Sequence, residues 1–419
     1  MAMVSNYGSV VQVAGIGLGV MFINMFIFGA FEGLNGAIDT LVSQYYGVRD
    51  YGGCNLTLNR ARMINSFMFI PCAIMLALSK EILVFLDQDS EVAIVAQKFL
   101  VFQIPGLFVF IQFDTLRRYL QAMGHFNLIL KGELVSVGFH VVAISLTLNF
   151  IEGDPVIICA LICNITMFLS YVCVCYFAKD ILDEVNELPV TEGAFDQWWA
   201  YLGLALPCAF IICSEWWMYE FLTILTGWIG VRELATIVII FNTHTFVYDF
   251  SYGLSQATSS VIGRTLAECG KEEAKRILAY IGLIEFIMCI LMTTIYLLFS
   301  TEIIRIFSNE EDIVMMYTDS LFYIIIMFIF DSLQIVIGGV IRGIGEQGES
   351  SIVSFISYGL ITLPAAIILA FPLEMGMKGI ISGYILGVIG NTVMNAYVLF
   401  KSDWELKIED SEDLGFVEI

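Results

Sequence analysis

Charged side chains are scarce in this sequence. Only 14% of its 419 residues are Asp, Glu, Lys or Arg, whereas a soluble protein carries about 25%. The mean hydropathy is +0.84, and most of the chain consists of apolar runs of about 20 residues, long enough to cross a hydrocarbon layer of about 30 Å as helices. A β-barrel would show shorter, alternating segments. We therefore expect an all-α polytopic membrane protein.

Basic residues are scarcer than acidic ones. The chain has 19 Lys and Arg against 41 Asp and Glu, a formal net charge of −22. A protein that binds nucleic acid needs a basic face, so we expect no nucleic-acid partner. Six acids fall in each of two polar stretches, residues 180–196 and 405–418. Their composition is typical of a solvated linker and a solvated tail.

Patterns typical of metal, disulfide and nucleotide sites are also lacking. The three histidines are far apart in the sequence, and the ten cysteines lie mostly inside apolar runs without regular spacing. Such cysteines are typical of free, buried thiols. No G-x-x-x-x-G-K-[ST] motif occurs, which argues against an ATP-driven pump. We expect neither a metal nor an organic cofactor, and no enzymatic activity.

Eleven apolar segments could span a membrane as helices. Their approximate cores are residues 14–38, 63–86, 98–121, 129–150, 156–177, 200–229, 234–261, 277–300, 313–340, 351–372 and 378–400. Only five basic residues fall on the side opposite to all the others: Lys80, Lys98, Arg232, Arg305 and Lys378. Because cytoplasmic loops are enriched in Lys and Arg, we expect the central linker and the C-terminus to be cytoplasmic, in a plasma membrane or a vacuolar membrane.

The sequence contains an internal repeat. "SKEILVFLDQDSE", which begins at Ser79, aligns with "STEIIRIFSNEED" from Ser300, and "QAMG" from Gln121 aligns with "RGIG" from Arg342 at the same offset of 221 residues. The predicted domains are an N-terminal lobe of five helices (1–178), an acidic linker (179–198), a C-terminal lobe of six helices (199–401) and an acidic tail (402–419). The span 200–229 has no counterpart in the first copy. We expect residues 1–12 to be the remnant of that helix, left by a truncated gene prediction or by a real loss.

Two acids interrupt the span 200–229: Glu215 and Glu220, in "CSEWWMYEF". A charge at mid-membrane costs about 2.5–3.5 kcal/mol on insertion scales, and a buried carboxyl avoids that cost when it binds a proton. Five residues at about 100° each place the two side chains roughly 140° apart around a helix. We expect Glu215 to face a cavity and bind protons or cations, and Glu220 to be packed behind it. The alternative for both is a structural role, with hydrogen bonds to Trp, Tyr or backbone donors.

Three further acids are considered as candidates. Asp331, in "FIFDSLQIVIGG", has no cation beside it in the sequence and is the expected partner of Glu215; the alternative is a hydrogen-bonded core acid. In the first lobe, Asp39 lies near the end of its span, where a structural capping role is favoured. Asp114 is followed closely by two arginines, which predicts an ion pair.

Aromatic and amide side chains accompany these acids. Aromatic faces beside carboxylates suit organic cations, through cation–π attraction and charge pairing. We take four residues as candidates for a substrate cavity: Trp216, Tyr219, Asn242 and Gln334. The alternative for the aromatic residues is ordinary packing or contact with lipid.

Three segments together resemble a known family. "EWWMYE" (215–220), "GLNGAIDTLVSQYYG" (33–47) and "FDSLQIVIGGVIRGIG" (330–345) resemble the eukaryotic branch of the multidrug and toxic compound extrusion (MATE) family. The resemblance implies an antiporter of two six-helix lobes around a central cleft. It also implies that Glu215, Glu220 and Asp331 lie in the cavity of the second lobe. The absent first helix departs from the family pattern.

These observations favour a secondary-active antiporter that works by alternating access. The resemblance implies that it exports organic cations, xenobiotics or metabolites in exchange for H⁺ or Na⁺. The expected substrate is small, cationic and aromatic, and the expected state is a monomer in a lipid bilayer. Two alternatives stay open: a transport-inactive paralogue or membrane scaffold, and a lipid flippase. A flippase would favour cations in its cavity, so the acids argue against it.

Overall fold

The structure of the chain is a computed structural model that describes residues 9–86, 88–150, 153–185, 193–308 and 310–408. These residues form helices and connections, with no strand among them, which confirms the all-α fold class. Parts of the predicted remnant (1–8), linker (186–192) and tail (409–419) lie outside the described residues.

Seventeen α-helices are described. They are α1 (Val10–Ile23), α2 (Gly29–Leu34), α3 (Gly36–Gly47), α4 (Tyr51–Ala77), α5 (Ser79–Phe85), α6 (Ser90–Ala122), α7 (Phe126–Phe150), α8 (Pro155–Phe177), α9 (Lys179–Val185), α10 (Trp198–Gly227), α11 (Val231–Cys269), α12 (Lys271–Phe307), α13 (Glu311–Asp319), α14 (Leu321–Ile344), α15 (Gln347–Ser354), α16 (Leu363–Ala370) and α17 (Met377–Lys401). Two π-helical segments, Asn24–Phe28 and Phe355–Thr362, join α1 to α2 and α15 to α16.

Polar residues at the helix starts explain several boundaries. Ser9 and Gln12 form a capping box at α1, since each side chain bonds to the backbone of the other residue. The side chain of Asp50 accepts from the N–H of Gly53 at the start of α4. Asp154 caps α8, which begins with Pro155, a residue suited to the first helical turn. These caps satisfy N–H groups that have no partner within the helix.

Ten stretches of the described chain are long and apolar enough to cross a membrane, by length and composition alone. They correspond to ten of the eleven predicted spans. The remaining one, 234–261, lies inside α11, which is a continuous helix of 39 residues but is not among the ten. The predicted span 63–86 was placed too far along the chain. The first turns of α4 carry polar residues such as Asn59 and Arg60, and the apolar end of α5 was included in the span instead.

The backbone repeats where the sequence repeats. Leu78, which separates α4 from α5, has φ −96° and ψ 15°, and Phe299, 221 residues later, has φ −120° and ψ 15° inside α12. Gly124 and Gly345, separated by the same interval, have φ of 85° and 83°. This left-handed region suits glycine. The internal repeat is therefore present in the geometry of the chain.

The described chain divides into two compact units. The first unit comprises the residues up to Ile38 together with Asp50–Leu202. Within it, α6 packs against α1, α4 and α8, and α7 packs against α8. A buried side-chain network joins Asn35, Asn65 and Asp114: Asn35 donates to Asp114 Oδ2 over 2.6 Å and Asn65 donates to Asn35 Oδ1 over 2.7 Å. Asp114 also pairs with Arg117, which confirms the ion pair predicted there.

The second unit comprises Asp39–Arg49 and the described residues from Gly203 onward. Its apolar core includes Leu222, Ile237, Ile240, Ile324 and Met327, contributed by α10, α11 and α14. Helix α14 packs against α11 and α17, and α17 also packs against α16. Helices α10, α11, α14 and α17 carry residues of the site described below.

The segment Asp39–Arg49 is held within the second unit by polar contacts. Asp39 Oδ2 lies 3.2 Å from Arg342 Nε, Gln44 Nε2 donates to the Gly343 carbonyl over 3.1 Å, and the Lys407 N–H donates to Gln44 Oε1 over 2.7 Å. Asp39 therefore has a structural partner on α14.

All ten cysteines are free thiols, but only four of them are buried as predicted. Cys54, Cys159, Cys208 and Cys289 are buried, and Cys269 is exposed.

Candidate functional site

A buried carboxylate lies at the centre of the second unit. Asp331 is 1% exposed and sits near the middle of α14. Its Oδ2 atom lies 2.6 Å from Nε2 of His244 on α11 and accepts from the Tyr219 hydroxyl on α10 over 3.3 Å. Its Oδ1 atom accepts from Gln334 Nε2 over 3.0 Å and lies 3.2 Å from the Tyr384 hydroxyl on α17. Four helices thus supply partners to one carboxyl group.

Two more contacts extend this arrangement. The Tyr384 hydroxyl lies 2.6 Å from the Tyr219 hydroxyl, and Gln334 Nε2 also donates to the Tyr358 hydroxyl over 2.8 Å. We call the connected set the Asp331 cluster; its members are Tyr219, His244, Asp331, Gln334, Tyr358 and Tyr384.

Helical spacing brings several of these side chains together. Asp331 and Gln334 are three residues apart, so they share one face of α14. Glu215 and Tyr219 are four residues apart on α10 and share a face in the same way. Tyr358 belongs to the π-helical segment Phe355–Thr362.

Glu215 faces a cavity next to the Asp331 cluster. Glu215 is 8% exposed and lines the cavity together with Gln334, Tyr358, Tyr248 and Tyr252. Asn391, Asn395 and Arg342 add polar groups to the wall. Because Gln334 and Tyr358 belong to both, the cavity and the Asp331 cluster form one polar region inside an otherwise apolar helical unit.

The remaining candidates from the sequence lie elsewhere. Glu220 is half-buried and is not part of the cavity wall, as its angular distance from Glu215 suggests. Trp216 is half-buried and also outside the wall. Asn242 is exposed, and its amide donates to the Val238 carbonyl of its own helix over 2.8 Å. The structure therefore brings Glu215, Tyr219, Asp331 and Gln334 together, but neither Trp216 nor Asn242 joins them.

The sequence reasoning missed His244, Tyr358 and Tyr384. His244 was considered only as a metal ligand, and its distance in sequence from the other histidines argued against that role. The sequence did contain a signal for His244. An acid at mid-membrane needs hydrogen-bond donors, and His244 is a possible donor within a predicted span. In the described part of the chain, no group of three or more His, Cys, Asp or Glu side chains could hold a metal ion.

The chain is similar to several transporters. It is 28% identical to "Multidrug and toxin extrusion protein 2" of Oryctolagus cuniculus over 415 residues, which cover 96% of this chain and 67% of that protein. It is also 28% identical to "Protein DETOXIFICATION 16" of Arabidopsis thaliana, with 90% of this chain and 78% of that protein covered.

Solved structures show the same fold. The crystal structure of the eukaryotic MATE transporter AtDTX14 matches with a TM-score of 0.88 at 23% identity, covering 97% of this chain and 91% of that one. The outward-facing structure of a multidrug resistance MATE family transporter of the MOP superfamily matches with a TM-score of 0.82 at 16% identity, covering 93% and 86%.

The family model described as MatE matches residues 1–146 and 207–368, well over half of the chain. The plant and mammalian relatives fit the eukaryotic type. The chain therefore belongs to the MatE family, whose members are integral membrane transporters and not enzymes.

Proposed function

We propose that this transporter is a secondary-active antiporter that exports organic cations or xenobiotics in exchange for H⁺. Na⁺ is the alternative coupling ion. The observation that supports this proposal best is the polar region formed by Glu215 and the Asp331 cluster, in which two buried acids are surrounded by tyrosines. Extrusion of drugs and toxins is named for several of its relatives.

The chemistry of the polar region suits a cationic substrate. Glu215 lies at the cavity wall with Tyr248, Tyr252 and Tyr358, so a cation in the cavity would meet one carboxylate and several aromatic faces. Cation–π attraction contributes about 2 kcal/mol when both groups are desolvated. Negative charge in a low-dielectric wall attracts a cation more strongly than it would in water.

Proton binding provides the coupling. When this region gains protons, its net negative charge and its attraction for a cation are lost, and the substrate is released. When the region loses those protons on the cytoplasmic side, the attraction returns. A ligand shifts a conformational equilibrium only if it binds the two states differently, and the change of charge supplies that difference. The exchange then follows from alternating access of the region to the two sides of the membrane.

Reconstituted protein tests this proposal. Full-length chain in liposomes with an acidic lumen is expected to take up N-methylquinolinium or tetraethylammonium, and collapsing the pH gradient is expected to stop uptake. Glu215→Gln removes the charge and preserves the shape, so gradient-driven uptake should fall about tenfold or more, which corresponds to about 1.4 kcal/mol.

The matched control is Glu302→Gln, the same substitution at an exposed residue, which should transport like the wild type. Uptake driven by a Na⁺ gradient at equal pH would assign the coupling to Na⁺ instead. Full gradient-driven uptake by Glu215→Gln would refute the role of Glu215.

A further inference from the structure

The contact between His244 and Asp331 is buried on both sides. The two side chains are 2% and 1% exposed, and Nε2 of His244 lies 2.6 Å from Asp331 Oδ2. The other ring nitrogen, Nδ1, is buried and has no hydrogen-bond partner among the described residues. With Nε2 committed to Asp331, Nδ1 is the atom of this pair that can still accept a proton.

The other partners of Asp331 stabilise its ionised form. Gln334 Nε2 can only donate, and it donates to Oδ1. The Tyr219 hydroxyl donates to Oδ2. Tyr384 has one hydroxyl proton, which it can give to Oδ1 or to Tyr219. Hydrogen bonds donated to a carboxylate favour its charged form, and an imidazole is a stronger base than a carboxylate.

The surroundings of His244 are aromatic or acidic. The groups that face it or its immediate neighbours are Asp331 on α14, Tyr219 and the nearby Glu215 on α10, Tyr248 on α11, Tyr296 on α12, Tyr317 on α13 and Tyr384 on α17. No cation is among these groups. An imidazolium at this position would therefore contact one acid, Asp331, with a second acid, Glu215, nearby.

We propose that the proton exchanged at the Asp331 cluster is held by the imidazole of His244, while Asp331 stays ionised. This assignment rests on the proposed proton-coupled function and specifies which atom carries the proton. With His244 protonated, the pair is neutral overall and does not attract a cation. When Nδ1 loses its proton, Asp331 leaves a net charge of −1 next to the cavity. Proton and organic cation then compete through electrostatics without sharing a binding atom.

Nuclear magnetic resonance can observe this proton directly, because the chain has only three histidines. Full-length protein labelled with ¹⁵N-histidine is titrated in nanodiscs from about pH 5 to about pH 8.5, the range in which an imidazole ordinarily changes its charge. The His244 signals are assigned by their loss in His244→Gln, or by elimination with His125→Gln and His140→Gln.

We expect His244 to change from doubly protonated to neutral in this range. Addition of N-methylquinolinium or tetraethylammonium should lower its protonated fraction at fixed pH. Two results would overturn the assignment. The first is a His244 that keeps one protonation state throughout the titration. The second is a protonated fraction of His244 that neither cation changes although the same protein transports them; either result would leave the proton on a carboxyl group.

Variants provide a second readout. A single competing proton changes an apparent affinity by up to about tenfold per pH unit, so cation affinity of the wild type should fall as the pH is lowered. His244→Gln keeps an N–H donor for Asp331 but cannot be protonated, so its cation affinity should fall less steeply with decreasing pH than that of the wild type, with only Glu215 left to bind a competing proton. His140→Gln, a matched change at a histidine whose Nδ1 lies 2.9 Å from Thr166 in the first unit, should behave like the wild type.

A wild-type pH dependence retained by His244→Gln would refute the proposal. Failure of the antiport proposal can be distinguished from failure of the His244 assignment. If the antiport proposal is wrong, the wild type shows no gradient-driven exchange, whereas the imidazole titration still reports where the cluster holds its proton.

Discussion

At the scale of single residues, Asp154 shows how one side chain can stabilise a helix start and an ion pair together. It accepts from the Val156 N–H over 2.9 Å at the start of α8 and pairs with Lys98 on α6. Partial burial works to raise the pKa of Asp154, but the hydrogen bond from Lys98, the Val156 N–H and the charge of Lys98 together outweigh it, so this pKa lies below its ordinary value.

The lowered pKa of Asp154 predicts a pH dependence of stability. A carboxyl group whose pKa is lower in the folded state stabilises the protein above its ordinary pKa, and this stabilisation is lost as the pH falls through the folded-state value. Asp154→Asn keeps a capping oxygen and removes the charge. It should lower the thermal unfolding midpoint at pH 7 slightly, since a partly exposed ion pair contributes at most about 1 kcal/mol.

The difference in midpoint between wild type and Asp154→Asn should shrink as the pH falls below the ordinary aspartate pKa of about 3.9, and it should vanish once the pH has fallen through the lower pKa of the folded state. Asp319→Asn, the same change at an exposed residue, should leave the midpoint unchanged at every pH. A difference for Asp154→Asn that is independent of pH would mean that the ion pair does not cause it.

The residues of the candidate site could be predicted from the sequence only where the relevant side chains lie on the same helix. Glu215 and Asp331 stand out in the sequence as acids without cations, and the spacing of Asp331 and Gln334 puts them on one face. His244, Tyr358 and Tyr384 lie on other helical segments. No local sequence pattern indicates which face of those segments packs toward α14, so the place of these residues beside Asp331 could not be predicted. Glu285, a buried acid that accepts from Ser251 on α11 over 3.3 Å, was visible in the span 277–300 but was not considered.

At the scale of elements, the π-helical segment Phe355–Thr362 aims Tyr358 at the Asp331 cluster. Pro364 follows the segment at the start of α16. A proline lacks an N–H and clashes with the carbonyl of the preceding turn, so the helix before it widens. The Thr362 hydroxyl donates to the Ser357 carbonyl over 2.9 Å and satisfies one group that a regular helix would have paired. Such widened turns are frequent at functional sites.

Helix α17 contacts this segment and α16 through a face of glycines. A Cβ atom at Gly379 would lie 2.6 Å from the Ala370 nitrogen, and one at Gly387 would lie 1.6 Å from Thr362 Oγ1. A Cβ atom at Gly383, which lies between these two glycines, would lie 2.3 Å from the Ala366 nitrogen. Glycines four residues apart let helices approach closely within a membrane. This approach also fixes Tyr384 beside Asp331.

Gly383→Ala is therefore expected to destabilise the second unit. The added methyl group meets backbone atoms of Ala366, which cannot move like the end of a flexible side chain, and overpacking of this kind costs about 1–3 kcal/mol. Thermal unfolding in detergent measures the loss. The control is Gly282→Ala on α12, where a Cβ atom would meet nothing within 4 Å; it should be neutral or slightly stabilising, since alanine is the better helix former. Equal midpoints for the two variants would contradict the role assigned to this glycine face.

At the scale of the whole molecule, the internal repeat accounts for features that hydropathy cannot supply. Hydropathy located ten of the spans but joined the two helices on either side of Leu78 into one span, because only the short polar run 79–81 separates their apolar residues. The repeat places an equivalent break at Phe299, so the two copies turn their chain at the same point, directly before the aligned segments that begin at Ser79 and Ser300. The domain boundaries at 178, 198 and 401 stay predictions.

The distribution of Lys and Arg predicts the orientation of the molecule, and the two ends of α12 provide the test. Cys269 is exposed and is the last residue of α11, two residues before the start of α12. Glu302 is exposed near the other end of α12. At 1.5 Å per residue, α12 extends about 46 Å from Lys271 to Glu302, more than the roughly 30 Å of the hydrocarbon layer. Cys269 and Glu302 must therefore lie on opposite sides of the membrane if α12 spans it.

A membrane-impermeant maleimide distinguishes the two sides in sealed vesicles of known orientation. Cys269 should react only from the cytoplasmic side, because the basic residues Arg264, Lys271, Lys275 and Arg276 surround it. In Cys269→Ser that reaction should disappear, and Glu302→Cys in the same background should react only from the other side. Labelling of both positions from one side would contradict a spanning α12. Exchange of the two results would invert the orientation, and with it the direction in which a proton gradient could drive export.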